Sequence, residues 1–158
     1  MTLPSDPQDL ARLATEEERL VFDRFDHSTA WRLGVALVEA ATRDALPVVV
    51  SISRGGQRLF HAALPGTSPD NDDWVERKSR VVLRFGHSSL HVGTQARVAG
   101  STFEARTGLP PDRWAAHGGS FPITVRGAGV VGAVTVSGLP QLEDHRLVVT
   151  ELERFLNP

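Results

Sequence analysis

The most motif-like spacing in the sequence is a run of three glycines within residues 123–138, ITVRGAGVVGAVTVSG. Gly127, Gly129 and Gly132 match G-x-G-x-x-G, the dinucleotide-binding pattern, which requires a strand before the glycines and a helix that opens within them. Here the last glycine leads into AVTVS, a β-branched run that predicts a strand. The sequence therefore predicts a hairpin turn at 127–129, a bulge or close backbone contact at Gly132, and no NAD site.

Two histidines, His87 and His91, are four positions apart, and two imidazoles on one helical face can hold a metal ion. The metallopeptidase form of this pattern has Glu directly after the first histidine, where this chain has Ser88. No third ligand is evident, so the alternative of helix-end histidines that face solvent or an oligomer contact stays open. His145, which follows Asp144, is a further metal candidate whose alternative is a hydrogen-bonded structural histidine.

Ser88 and Ser89 stand beside these histidines, which raises the possibility of acyl transfer. Neither serine lies in a G-x-S-x-G elbow, and serines at a helix end usually bond to backbone carbonyls or water. The chain has no cysteine, which excludes a thiol nucleophile and thiolate metal sites. An enzyme that uses His117 or His145 as a general acid–base is a weaker alternative, with no substrate class that the sequence can name.

Aromatic rings and cations are interleaved in residues 70–89, DNDDWVERKSRVVLRFGHSS. One interpretation is a pocket with an aromatic wall and cations for a ligand carboxylate or phosphate. The other is that the aliphatic stems of the cations pack while their charges stay in water. A glycine turn in HGGSFP (117–122), whose backbone amides could meet an anion, would complete such a site. The candidate ligand-binding residues are Trp74, Arg77, Lys78, Phe85, Ser88, Ser89, His117, Gly118, Gly119 and Ser120.

The elements that must position these residues can be read from periodicity and turn signals. The predicted order is helix, strand, helix, strand, strand, helix, small helix, strand, strand, helix, with a strand at 19–25 and a hairpin at Gly55-Gly56. Residues 88–116 indicate a continuation of the preceding helix and then short helical or irregular pieces. Tight strand pairs favour an antiparallel sheet covered by helices, which is an α+β layered domain.

Composition limits the partners. A chain of 158 residues is expected to form a single domain. With a net charge of −2, no basic stripe and no tyrosine, the chain lacks the signature of a nucleic-acid-binding protein. The apolar stretches are shorter than the ~20 residues of a membrane helix, and the acidic N-terminus has no apolar h-region. No membrane association and a cytoplasmic location are therefore expected.

Three blocks together carry a family resemblance: W-V-x-R-K-x-x-x-V-x-x-F-x-x-S-S-x-x-x-G (74–93), GGSFPI (118–123) and GVVGAVTVSGLPQLEDHRLVV (129–149). They resemble the UPF-type branch of the haem-degrading-domain superfamily, the GlcG/HbpS-like proteins that include the C-terminal domain of PduO. The resemblance covers about residues 15–157, after a helical extension at 1–14. The positions that match the branch motif are Trp74, Arg77, Lys78, Phe85, Ser88, Ser89, Gly118, Gly119, Pro122, Gly138, Asp144 and His145.

The resemblance implies a single-domain α-β-α sandwich with a five-stranded antiparallel sheet, assembly into homo-oligomers, and haem or corrinoid-related ligands in some relatives. The Gly-Gly-x-Pro turn of the superfamily has one extra residue before Pro122 here. Because the chain has no Cys or Tyr and only the initiator Met, a haem iron would need His or an oxygen ligand such as Thr. The favoured hypothesis is an oligomer that binds a small anionic or haem-like ligand near a subunit interface. The alternative from a different class is a non-catalytic assembly scaffold.

Overall fold

The computed structural model describes residues 2–158, which form six helices and five strands. In chain order these are α1 (Pro7–Arg19), β1 (Val21–Phe22), α2 (His27–Arg43), β2 (Val49–Arg54), β3 (Gln57–Ala63), α3 (Pro69–Phe85), α4 (Ser89–Val98), α5 (Phe103–Thr107), β4 (Ser120–Val125), β5 (Gly129–Ser137) and α6 (Gln141–Leu156). α1 continues to Arg19, past residue 14, where the N-terminal helical extension was expected to end. None of the helices in residues 2–158 has the length and apolar character needed to cross a membrane.

The five strands form one sheet in the order β1-β4-β5-β2-β3. This confirms the α+β class, but the sheet is mixed, because β1 runs parallel to β4 while the other neighbours are antiparallel. The expectation of a purely antiparallel sheet was therefore wrong. Alternation within residues 19–25 indicates extended chain but not the direction of its partner. β1 has only two residues and lies between the end of α1 and Asp26, which caps α2 by accepting a hydrogen bond from the Thr29 backbone N–H at 2.8 Å.

The glycine motif lies in the hairpin that joins β4 to β5. Gly127 and Gly129 both have φ of 80°, a left-handed conformation that favours glycine, and the Ala128 N–H donates to the Val125 carbonyl at 2.9 Å. Gly132 lies within β5, where an added Cβ would collide with the carbonyl oxygen of Ser53 on β2. The predicted turn and close backbone contact are thus confirmed, and the chain continues from them as a strand.

The two faces of the sheet differ in chemistry. Because side chains alternate along a strand, β2, β4 and β5 direct large apolar residues to one face, where α2 and α6 cover them and form the main core. The opposite face, under α3, carries small and hydroxyl side chains, namely Ser51, Ser120, Thr135 and Ser137, all buried. The result is an α-β-α layering in which one of the two helix–sheet interfaces is polar.

The polar interface is covered by two helices and not by one continuous helix. α3 ends at Phe85, and Gly86 closes it in a left-handed conformation with φ of 72°. Ser88 then starts α4, and its hydroxyl accepts a hydrogen bond from the His91 N–H at 3.1 Å. The expected continuation of α3 beyond residue 88 is corrected accordingly, because a left-handed glycine followed by a serine cap both ends one helix and begins the next.

Candidate functional site

A pocket with a volume of about 260 Å³ opens where the first turns of α3 meet the segment that leads from β5 into α6. Proline and an amide side chain set the start of α3: Pro69 occupies its first turn, and the Asn71 side chain accepts a hydrogen bond from the Ser68 N–H at 2.9 Å. The pocket is lined by Asp70, Asn71, Trp74, Lys78, His117, Ser137, Gly138, Leu139, Gln141 and Asp144.

A buried ion pair lies at the base of the pocket. The Lys78 Nζ donates to Asp144 Oδ2 at 2.9 Å and to the Val136 carbonyl at 3.3 Å. The two residues are only 3% and 0% exposed, respectively. The other carboxylate oxygen of Asp144 accepts from the Leu139 N–H at 3.0 Å, which ties the ion pair to the entry of α6. The charge of Lys78, expected from the sequence to meet a ligand or water, is thus largely neutralised inside the protein.

Burial governs the protonation of both partners. Desolvation lowers the pKa of Lys78 and raises the pKa of Asp144, because burial disfavours the charged form of each group. The attraction between the two charges opposes both shifts. Each charge is therefore held in place by its partner, and neither would be stable there alone.

Gly119 allows the ion pair to reach the sheet. It has φ of 134°, and a Cβ at this position would lie 2.8 Å from the Lys78 Nζ and collide with the Val136 carbonyl. Gly118 beside it donates its backbone N–H to Gln141 Oε1 at 3.0 Å. The Gly118-Gly119 pair therefore shapes one side of the pocket by letting Lys78 and α6 approach the backbone closely.

An aromatic wall stands above the ion pair. The rings of Trp74 and His117 have centroids 5.2 Å apart, and the Arg77 guanidinium stacks on the Trp74 ring at 4.1 Å. Arg77 is held on its other side by the Pro111 carbonyl, which accepts from its Nη2 at 2.7 Å. Partial desolvation, and then the positive charges of Lys78 and Arg77, lower the pKa of His117. The imidazole is therefore neutral at pH 7, although it is exposed at the surface.

Among the candidate residues, only Trp74, Lys78 and His117 line this pocket; Arg77, Gly118 and Gly119 border it, and the others lie elsewhere. Phe85 packs edge-on against Phe103 of α5, with centroids 5.8 Å apart, in a small second cluster. Ser89 joins α4 to β4, since its hydroxyl accepts from the Ser120 N–H at 3.0 Å, and the Ser120 hydroxyl bonds to that of Thr135 at 2.8 Å. In the structure, these residues make packing and hydrogen-bonding contacts within the fold.

His87 and His91 do come together, but not on one helical face, because His87 precedes the serine that caps α4. Their Nδ1 atoms lie 2.7 Å and 3.0 Å from the two carboxylate oxygens of Glu17 on α1. Burial raises the pKa of Glu17, but the hydrogen bonds from His91, His87 and the Ser88 N–H outweigh it and lower the pKa overall. Sequence reasoning missed Glu17 because 70 positions separate it from His87.

His145 forms a separate contact with the neighbouring acid of the same helix. Its Nε2 lies 2.6 Å from Glu16 Oε1, its Nδ1 is buried without a partner, and its ring is 6.1 Å from that of Phe121. His145 therefore stands apart from the other two histidines. Consecutive acids in TEEER (15–19) contact two different histidine sites, a pattern that the sequence shows only as a run of charge.

A family model described as "Haem degrading protein HbpS-like" matches residues 25–153. The chain belongs to the HbpS-like family. Within it the chain is a UPF0303 protein: it is 59% identical to the UPF0303 protein of Streptomyces coelicolor over 155 residues, covering 98% of each chain. It is 50% identical to that of Edwardsiella ictaluri over 152 residues, covering 96% of this chain and 97% of the relative.

Solved structures show the same HbpS-like architecture. The crystal structure of the Ybr137w protein aligns with a TM-score of 0.87 at 33% identity over 94% of this chain and 87% of that one. HbpS itself aligns with a TM-score of 0.65 at 21% identity over 85% of this chain and 92% of that one. A PduOC:heme complex aligns with a TM-score of 0.66 at 20% identity over 87% of this chain and 96% of that one. These last two likenesses establish the fold alone.

Proposed function

We propose that this HbpS-like protein binds a small anionic or haem-like planar ligand in the pocket between α3 and the start of α6. The observation that carries the proposal is that the Trp74 and His117 rings, with centroids 5.2 Å apart, line the same pocket as the buried Lys78–Asp144 pair. Two flat rings beside a polar base provide both a stacking surface and hydrogen-bonding groups, the usual composition of a ligand site.

The charges around the pocket limit the ligand. Burial lowers the pKa of His117, and the positive charges of Lys78 and Arg77 act in the same direction although they lie near Asp144 and Asp73, respectively. Asp70 and Asp144 line the same pocket and oppose a densely charged anion. Carboxylate groups near His117 are therefore favoured over a polyphosphate.

The volume limits how a haem-like ligand would enter. At about 260 Å³, the pocket is smaller than the ~300–1,000 Å³ of sites that enclose drug-sized molecules. A tetrapyrrole would therefore insert one edge, with the neutral His117 imidazole as the available iron ligand. The PduOC:heme complex supports testing this ligand class first.

Titration with haemin and with iron-free protoporphyrin IX tests the proposal. The parent protein is expected to bind both compounds saturably and to shift the Soret band of haemin. His117→Gln should abolish this shift but still bind protoporphyrin IX. Trp74→Leu is expected to weaken both ligands at least ten-fold, and Trp114→Leu, which removes an indole outside the pocket, serves as the matched control. Equal binding by the Trp74 and Trp114 variants, or no saturable binding, would overturn the proposal.

We also propose that copies of the chain assemble through the surface around β3. Trp31 on α2 is 62% exposed and packs edge-on against Phe60 of β3, with ring centroids 5.6 Å apart. β3 is an edge strand that pairs only with β2 among the described strands, and an apolar surface beside an open edge favours a second copy. Light scattering of the parent protein should give a molecular mass that is a multiple of 17.2 kDa, and Trp31→Glu should lower that mass. Leu83→Glu, at an exposed apolar position on α3, should leave the mass unchanged, and a monomeric parent protein would contradict assembly.

A further inference from the structure

We propose that Glu17, His87 and His91 form a binding site for a divalent first-row transition-metal ion, which links α1 to the start of α4. The three side chains come from separate parts of the chain: α1, the turn after Gly86, and the first turn of α4. Their ligand atoms all lie within 4.8 Å of one another. The site is distinct from the pocket proposed above and does not depend on it.

The three donor groups are already close to the spacing that a bound ion needs. Zinc-type ions bind imidazole nitrogen and carboxylate oxygen at about 2.0–2.2 Å, so adjacent ligands of a tetrahedral ion are about 3.3–3.6 Å apart. The two Nδ1–carboxylate distances, 2.7 Å for His87 and 3.0 Å for His91, are hydrogen-bond lengths that would increase by roughly 0.5 Å when an ion enters. The rings are near each other, with centroids 4.2 Å apart and planes inclined by 36°. To bind one ion, the two Nδ1 atoms would turn from the separate oxygens of Glu17 toward a common point between the three side chains.

The surroundings preorganise the donors. The side chains of Glu17 and His91 are 11% and 6% exposed, whereas that of His87 is 42% exposed. The Ser88 N–H donates to Glu17 Oε1 at 2.7 Å, an outer-shell hydrogen bond of the kind that orients metal-binding carboxylates. Two donors are therefore held by the fold, and the exposed ring leaves a solvent-facing side for entry of the ion and for water ligands.

The donor set selects the class of metal. Two imidazoles and one carboxylate suit Zn²⁺, Fe²⁺, Co²⁺ or Ni²⁺, whereas Ca²⁺ and Mg²⁺ prefer oxygen ligands and Cu⁺ prefers the thiolates that this chain lacks. Each Nδ1 atom would have to be free of its proton to bind the ion, so each neutral ring would carry its N–H on Nε2, and one ion would replace the two hydrogen bonds to Glu17.

Glu16 and His145 provide a matched comparison on the same helix. They form one His–carboxylate contact of 2.6 Å, and within residues 2–158 no third donor joins them in a converging group. A histidine and a glutamate in contact are therefore present at both places, but only the Glu17 site has the second imidazole.

The test is titration of tag-free, chelator-treated protein with Co²⁺, followed by its visible absorption and by calorimetry with Zn²⁺. One equivalent of each ion is expected to bind, and Zn²⁺ should raise the melting temperature. His87→Gln, at the half-exposed position, should weaken binding at least ten-fold with an unchanged circular dichroism spectrum, as should His91→Gln. Glu16→Gln should bind like the parent. No stoichiometric binding, or binding that the His87 and His91 variants leave intact, would overturn the proposal.

Discussion

Replacing Lys78 by methionine leaves Asp144 as a buried carboxyl without a partner. A buried carboxyl without a partner binds a proton, because an isolated charge is unstable there. An aspartate in water does so only near its ordinary pKa of 3.8. At about 1.4 kcal/mol per pH unit, this protonation costs about 4 kcal/mol at pH 7. The value agrees with the ~3–5 kcal/mol typical when one partner of a buried ion pair is removed.

The pH dependence of this loss has a defined sign. In Lys78→Met the pKa of Asp144 is raised in the folded state, so the loss is largest at high pH and shrinks as pH falls toward 3.8. In Asp144→Asn the unpaired Lys78 is the group with the lowered pKa, so the loss is largest at low pH and shrinks as pH rises toward 10.5. The two single variants should therefore show opposite slopes, each at most about 1.4 kcal/mol per pH unit.

Urea denaturation at pH 5.5, 7.0 and 8.5 measures these slopes as differences from the parent protein. A Lys78→Met protein that is unfolded at pH 7 should recover its fold at pH 5.5. The double variant Lys78→Met/Asp144→Asn contains neither charge, so its loss should be smaller than the sum of the two single losses and nearly independent of pH. Losses with the same slope in both single variants would refute the conclusion that the two charges stabilise each other.

Gly119→Ala should lower the free energy of unfolding by at least about 2 kcal/mol, because the new methyl group meets Lys78 and a sheet carbonyl at a strained φ. Gly86→Ala, at a positive φ with nothing within 4 Å, should lower it by only about 1 kcal/mol. Denaturation curves of the two variants compare these losses. Equal losses would contradict a close approach at Gly119. Binding of protoporphyrin IX should tighten as pH falls below 6.5 toward the lowered pKa of His117, since the protonated ring attracts a carboxylate. His117→Gln should remove this trend in fluorescence titrations, and a trend that persists in the variant would assign it to another group.

Local patterns in the sequence predict most of the fold. The β-branched run after Gly132 excludes the helix that a dinucleotide loop requires, and the structure has a strand there. The direction of β1 could not be predicted in this way, because two residues at a sheet edge have no periodicity that specifies a parallel or an antiparallel neighbour. The break after Phe85 has a local signal, because Gly86 and the serine cap at Ser88 end one helix and begin the next, but the expected helix continued through it.

The candidate site was only partly predictable because its contacts join distant parts of the chain. The aromatic and cationic residues of α3 are visible as a pattern, and Trp74, Lys78 and His117 do line one pocket. The pairing of Lys78 with Asp144 spans 66 positions, and no spacing rule connects them. Glu17 likewise becomes part of a histidine cluster only when α1 packs on α4.

The most direct test of the proposed ligand site uses proteins with a single tryptophan. In a Trp31→Phe/Trp114→Phe protein, the remaining Trp74 fluorescence should be quenched saturably by one equivalent of protoporphyrin IX. A protein that retains only Trp114 should show clearly weaker quenching. Stronger quenching of Trp114 than of Trp74, or the absence of saturation in both, would contradict binding in the pocket above the Lys78–Asp144 pair.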